Sequence, residues 1–96
     1  MNGKWSKENF IKFDQENPRI WELFRKYTNR ARIARNKYSA KAIFHRIRWE
    51  EVIERRTEDF KIDDGWISHY ARKYMDMYPQ SEGFFEIRTR RNSYHN

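Results

Sequence analysis

A chain of 96 residues with a formal net charge of +7 makes one small domain with little room for a core, and four Trp, six Tyr and seven Phe are the side chains able to build it. The lack of cysteine excludes disulfide staples and thiolate metal sites, and the lack of a long apolar run excludes a membrane span. Three Gly, two Pro and frequent apolar residues do not fit a disordered chain, and MNGKWSKENF has no signal-peptide core, so a soluble intracellular protein is expected.

The stretch SKENFIKF reads as a short helical turn capped by Ser6 and anchored by Phe10 and Phe13, within an N-terminal arm of residues 1–16. In ENPRIWELFRKY, Asn17 is placed to accept from free helix N–H groups, and Pro18 suits the first helical position because no donor is needed there. Ile20, Leu23, Phe24, Tyr27, Ala31 and Ala34 recur at helical spacing and predict a first helix from Pro18 to about Ile33. Ser39 caps a second, with Ala40, Ile43, Phe44 and Ile47 on its buried stripe and Lys41, Arg46 and Arg48 turned outward, ending between Trp49 and Glu51.

The run VIERRTEDFKI then changes character and reads as a short strand or hairpin, with Phe60 and Ile62 alternating around Lys61. Continuation of the second helix through Arg55 is the competing reading, because Glu50, Glu51, Glu54 and Arg55 are good helix formers. DDGWISHYARKYMDMYP is the third helix, capped by Asp63 or Asp64, apolar along Ile67, Tyr70, Ala71, Tyr74, Met75 and Tyr78, and stopped by Pro79. After QSEG, the run FFEIRTR puts Phe85 and Ile87 on one side and Glu86 and Arg88 on the other, a strand able to pair with FKI. The expected fold class is α+β, mainly α: a single domain 1–96 of three helices with a small antiparallel sheet, a core of 17–88 and a flexible basic tail of 89–96. It is reminiscent of a winged helix, although the strand between the second and third helices departs from the tight turn of a plain helix-turn-helix.

Charge is polarised along this layout. Arg25, Lys26, Arg30, Arg32, Arg35, Lys37, Lys41, Arg46 and Arg48 fall in one stretch with no Asp or Glu, while Glu50, Glu51, Glu54, Glu58, Asp59, Asp63 and Asp64 follow in another. Arg25, Asn29 and Arg32 share one side of the first helix, and Lys41 and Arg48 project from the second, so the two form a basic shoulder. An uncompensated cationic field attracts polyanions by releasing their counterions, and Arg suits bidentate phosphate contact. The expected nucleic-acid contacts are therefore Arg25, Arg30, Arg32, Arg35, Lys37, Lys41 and Arg48. The alternative is a solvated basic face, partly paired with the acidic segment.

On the third helix, Ser68, His69, Arg72, Lys73 and Asp76 face outward, and His69, Arg72 and Lys73 are candidate groove contacts if the face is not merely solvated. Arg90 and Arg91 in RTRR are placed to follow a backbone or a minor groove, or form a plain basic tail. Tyr70, Tyr74 and Tyr78 sit at core spacing and do not make a base-stacking platform.

Catalysis is not expected. The acids do not form a recognisable Mg²⁺ motif, and His45, His69 and His95 match no zinc spacing, His45 being most simply a partly buried histidine. There is no P-loop, dinucleotide fingerprint or activated nucleophile, and no cofactor is implied.

The segments NPRIWELF, RIRWE, FKIDDGWISHYARKYM and GFFEIR together resemble a family of small bacteriophage and prophage proteins, over Phe13 to Arg88. The family carries no established activity, so no residue role transfers; Asp63 and Asp64 stand where that family has asparagines, which also cap helices. The resemblance implies a viral accessory protein in a bacterial cytoplasm.

Two readings follow. In the first the protein binds nucleic acid, DNA before RNA, through the basic shoulder. In the second it is an anti-defence protein, an anti-CRISPR-like inhibitor that docks on a host nucleoprotein complex. No membrane partner is expected, and a homodimer is left open. Trp5, Trp21, Trp49 and Trp66 discriminate: if all are core, the docking reading loses its anchors, whereas an exposed cluster favours a protein partner.

Overall fold

The computed structural model describes residues 4–56 and 62–85, and 77% of these are helical. Four α-helices run in chain order: α1 (Lys7–Glu16), α2 (Pro18–Ala34), α3 (Ala40–Trp49) and α4 (Ile67–Met77). Among the described residues there is no β-strand and no sheet, which overturns the α+β, winged-helix-like expectation. Only an isolated parallel bridge joins Tyr38 to Phe85, with the Tyr38 N–H donating to the Phe84 carbonyl at 3.0 Å.

Where the described residues reach the expected strands, they depart from them for reasons that local alternation does not reveal. Glu50–Glu54 stay helical in a widened π turn, closed by the Arg55 N–H donating to the Glu50 carbonyl at 2.8 Å. The competing reading was nearer, and the helix leaves this turn through Arg56, whose φ of 55° lies in the left-handed region that usually ends a helix with glycine. At the second site Phe84 and Phe85 are both buried, so the chain there does not alternate: it lays two consecutive rings into the core. The proposed partner Phe60–Lys61, residues 86–90 and the tail all lie outside the described residues.

α1 is the other correction. The expected short turn is a ten-residue helix, capped as anticipated by Ser6 accepting from the Asn9 N–H at 3.2 Å. It joins the body because Phe13 stacks on Trp66 at 5.0 Å and Phe10 stacks on His69 at 4.9 Å. Asn17 caps backwards: its Nδ2 donates to the Phe13 carbonyl at 2.9 Å and its backbone N–H to Asp14, closing α1 while Pro18 opens α2. Ser39 caps α3 as expected, accepting from Ala42 at 3.2 Å. Neither Asp63 nor Asp64 makes a side-chain cap; a 3-10 turn, Asp64–Trp66, leads into α4 instead.

The core lies where α2, α3 and α4 meet. Phe24 is its hub, with ring centroids 5.9 Å from Phe44, 5.7 Å from Tyr70 and 5.6 Å from Phe85. Burial of side chains this large contributes about 1.5–3 kcal/mol each, which is how a short polar chain sustains a fold. Three residues far apart in sequence thus bring α3, α4 and the non-helical segment at Phe85 onto one ring of α2.

Candidate nucleic-acid interface

α2 and α3 pack along the half of α2 that carries Tyr27, Ala31 and Ala34, facing Ala42 and Ile43 of α3. Alanines at three of these positions keep the helices from filling the seam, and a groove of about 400 Å³ remains. Its floor is apolar; Arg30, Arg35 and Arg46 line it with Tyr38. The Tyr27 ring is the electrostatic collecting point: Lys26 lies 5.2 Å from its centroid, Arg30 5.8 Å and Arg46 5.1 Å.

Among the described residues, Arg25, Lys26, Arg30, Arg35, Lys37 and Lys41 have no carboxylate within 4.0 Å. Arg46 reaches Glu54 only at 3.9 Å, with both side chains about half exposed, a pair that contributes little. Arg35 also borders a second, polar hollow of about 280 Å³ with Asn36 and the turn at Gln80–Phe84.

The other candidates divide sharply. On α2, Asn29 and Arg32 turn toward α4: Arg32 donates to the Tyr74 hydroxyl at 3.2 Å, and that hydroxyl donates to Asn29. Arg48 is bound within the fold, donating to the Ile62 carbonyl at 2.7 Å and to Asp64 at 2.5 Å, and this hydrogen bond holds the Asp64 carboxyl below its usual range. Lys73 meets Asp14 and sits 4.3 Å from the Trp21 ring centroid, pinning α4 to α1 and α2.

His69 donates from Nε2 to the Trp5 carbonyl and accepts from Arg72 at Nδ1, so its partners select the Nε2–H tautomer. Two of the three candidate groove contacts on α4 therefore hold the fold together, and only Arg72 is exposed. Arg90 and Arg91 lie outside the described residues. His45, expected partly buried, is exposed.

Of the acids, Glu50 and Glu51 are both bound by Arg19, at 3.1 and 2.8 Å. Among the described residues no three His, Asp or Glu side chains are grouped to hold a metal ion, and no helix is long and apolar enough to cross a membrane. Glu58 and Asp59 lie outside the described residues. Sequence reasoning passed over Lys26, Arg46, Tyr27 and Tyr38 as members of the site. The signal available was the alanine pattern 31, 34 and 42 beside them, legible only as a shallow seam once α2 and α3 are paired.

The tryptophans split as well. Trp66 is buried, and Trp5 and Trp21 pack partly buried against the core. Trp49 is 53% exposed, and Val52 and Ile53 beside it are 45% and 51% exposed, forming a small apolar patch where α3 passes into the π turn. Compared with known proteins, the chain matches no family model, no curated protein and no solved structure.

Proposed function

We propose that this protein binds nucleic acid, DNA before RNA, through the face made by α2 and α3, and that it acts by binding and not by catalysis. The observation that carries this reading is the set of cations gathered around Tyr27 and the groove with, among the described residues, only one distant carboxylate beside them. Such a field costs self-repulsion, which an anionic polymer relieves while releasing its counterions. The resemblance to phage and prophage proteins supports a viral accessory role in a bacterial cytoplasm. Fluorescence anisotropy with DNA across a salt series tests it. Arg30→Gln, Arg35→Gln and Arg46→Gln together should weaken binding and flatten the log–log salt dependence by about 0.9 for each phosphate no longer neutralised. Unchanged slope and affinity would sink the reading.

The patch of Trp49, Val52 and Ile53 favours a second reading, an inhibitor docking on a host defence complex. Trp49→Ser with Ile53→Ser should then abolish protection of a phage in a host with an active CRISPR system while leaving DNA affinity intact. Protection undiminished by the double variant would dismiss it.

A further inference from the structure

We infer that the α2–α3 groove is a slot for one base of single-stranded DNA, with the Tyr38 ring as its stacking surface and Arg30, Arg35 and Arg46 holding the adjoining phosphates. This rests on the nucleic-acid reading above and adds the strand state.

The groove has two chemistries side by side. Its floor of Ala31, Ala34, Ala42 and Ile43 rewards a flat apolar face, and its arginines reward an anion. A duplex offers only the second, because its bases are stacked inside and its outer surface is phosphate. An unpaired nucleotide carries both within one unit, which is why single-strand sites combine a cationic track with exposed rings.

Tyr38 is suited to the part. Its side chain lines the groove and packs half-buried against the core, and among the described residues its ring pairs with no other aromatic ring. Its backbone is fixed by the N–H donated to Phe84 and by the bridge to Phe85, so the ring is carried on a held segment. By contrast, the outward face of α4, which a duplex reader would present to a major groove, has His69 and Lys73 committed to Trp5 and Asp14. An acidic peptide shares the charge requirement, but a volume of about 400 Å³ admits one ring system more readily than a partner helix.

The test compares a short labelled oligo(dT) with a duplex of equal length at the same salt. The single strand should bind about tenfold or more tighter. Tyr38→Leu should lose about tenfold of that affinity, toward the low end for one stacked base, and weaken duplex binding by a clearly smaller factor. Ala34→Leu, at an exposed position that cannot disturb the core, fills the groove and should give the same selective loss with an unaltered circular dichroism spectrum.

Equal affinity for both DNA forms, or no selective loss in either variant while the arginine substitutions still weaken binding, overturns the slot and leaves the nucleic-acid reading standing. No binding of either form at low salt overturns that reading too. Binding of poly-glutamate, but of neither DNA form, that is sensitive to Arg30→Gln would give the groove to an acidic protein partner.

Discussion

Arg46 holds its guanidinium 5.1 Å from the centroid of the Tyr27 ring, so a residue of α3 closes over an aromatic of α2 beside the groove. Lys26 and Arg30 approach the same ring, which lets three like charges converge at tolerable cost. Tyr27→Leu keeps the apolar bulk and removes the ring quadrupole, leaving the cations to repel one another. We expect a loss of about 1–2 kcal/mol in urea unfolding at low salt, partly recovered when salt screens the charges. A loss independent of salt would mean that Tyr27 contributes only packing.

Glu51 is 4% exposed and binds Arg19 at 2.8 Å and Arg55 at 3.2 Å. Burial by itself would raise its carboxyl, but the hydrogen bonds and charges of Arg19 and Arg55 outweigh that and hold it below the ordinary glutamate value of 4.5. A depressed carboxyl stabilises the fold fully above its unfolded value, and that contribution disappears as pH falls through the lower folded one. Glu51→Gln should cost about 1–3 kcal/mol at neutral pH and make the acid limb of the stability–pH curve shallower. Parallel acid limbs for the two proteins would refute the linkage.

Tyr70 is wholly buried and, among the described residues, its hydroxyl has no hydrogen-bond partner. Burial, aided by the Asp14 charge, pushes that phenol well above the usual tyrosine range. Tyr70→Phe removes an unsatisfied polar atom and keeps the ring among Phe10, Trp21, Phe24 and Phe44, so stability should be unchanged or rise by up to about 1 kcal/mol. A clear drop in melting temperature would show that the hydroxyl is satisfied in solution.

Gly65 lies under the Trp5 indole, and a Cβ there would overlap the ring. Trp5 meets Trp66 edge-on at 4.8 Å and its carbonyl accepts from His69. Gly65→Ala should displace Trp5, shift tryptophan emission to the red and cost about 1 kcal/mol, comparable to losing one aromatic pair. Trp5→Ala provides the comparison. If the two variants differ widely in stability, Gly65 matters for its backbone and not for the room it leaves.

Much of the helical layout was legible because it is a local matter. Ser6 and Ser39 cap where a hydroxyl precedes a helical run, Pro18 begins a helix and Pro79 follows one, and periodicity marks Leu23, Phe24, Ile43, Phe44, Tyr70 and Tyr74 as core. The misreadings sit where the same residues serve two patterns. VIERRTEDFKI has β-branched and aromatic residues, but Glu50–Glu54 remain helical while Glu51 reaches Arg19, more than thirty positions away in the sequence. FFEIR alternates as written, yet Phe84 and Phe85 both enter the core because Tyr38 takes up the backbone beside them.

The sequence by itself determined that a basic run lies on the helices that became α2 and α3 and that aromatic rings make the core, since charge and periodicity are properties of neighbouring residues. Only the tertiary structure decided which cations remain free. Arg32, Arg48, Lys73 and His69 look as available in the sequence as Arg30 and Arg35, but Tyr74, Asp64, Asp14 and Trp5 reach them from distant segments. A cation's partner is set by where helices cross, and a groove exists only between two of them, so neither is written in the spacing of either helix alone.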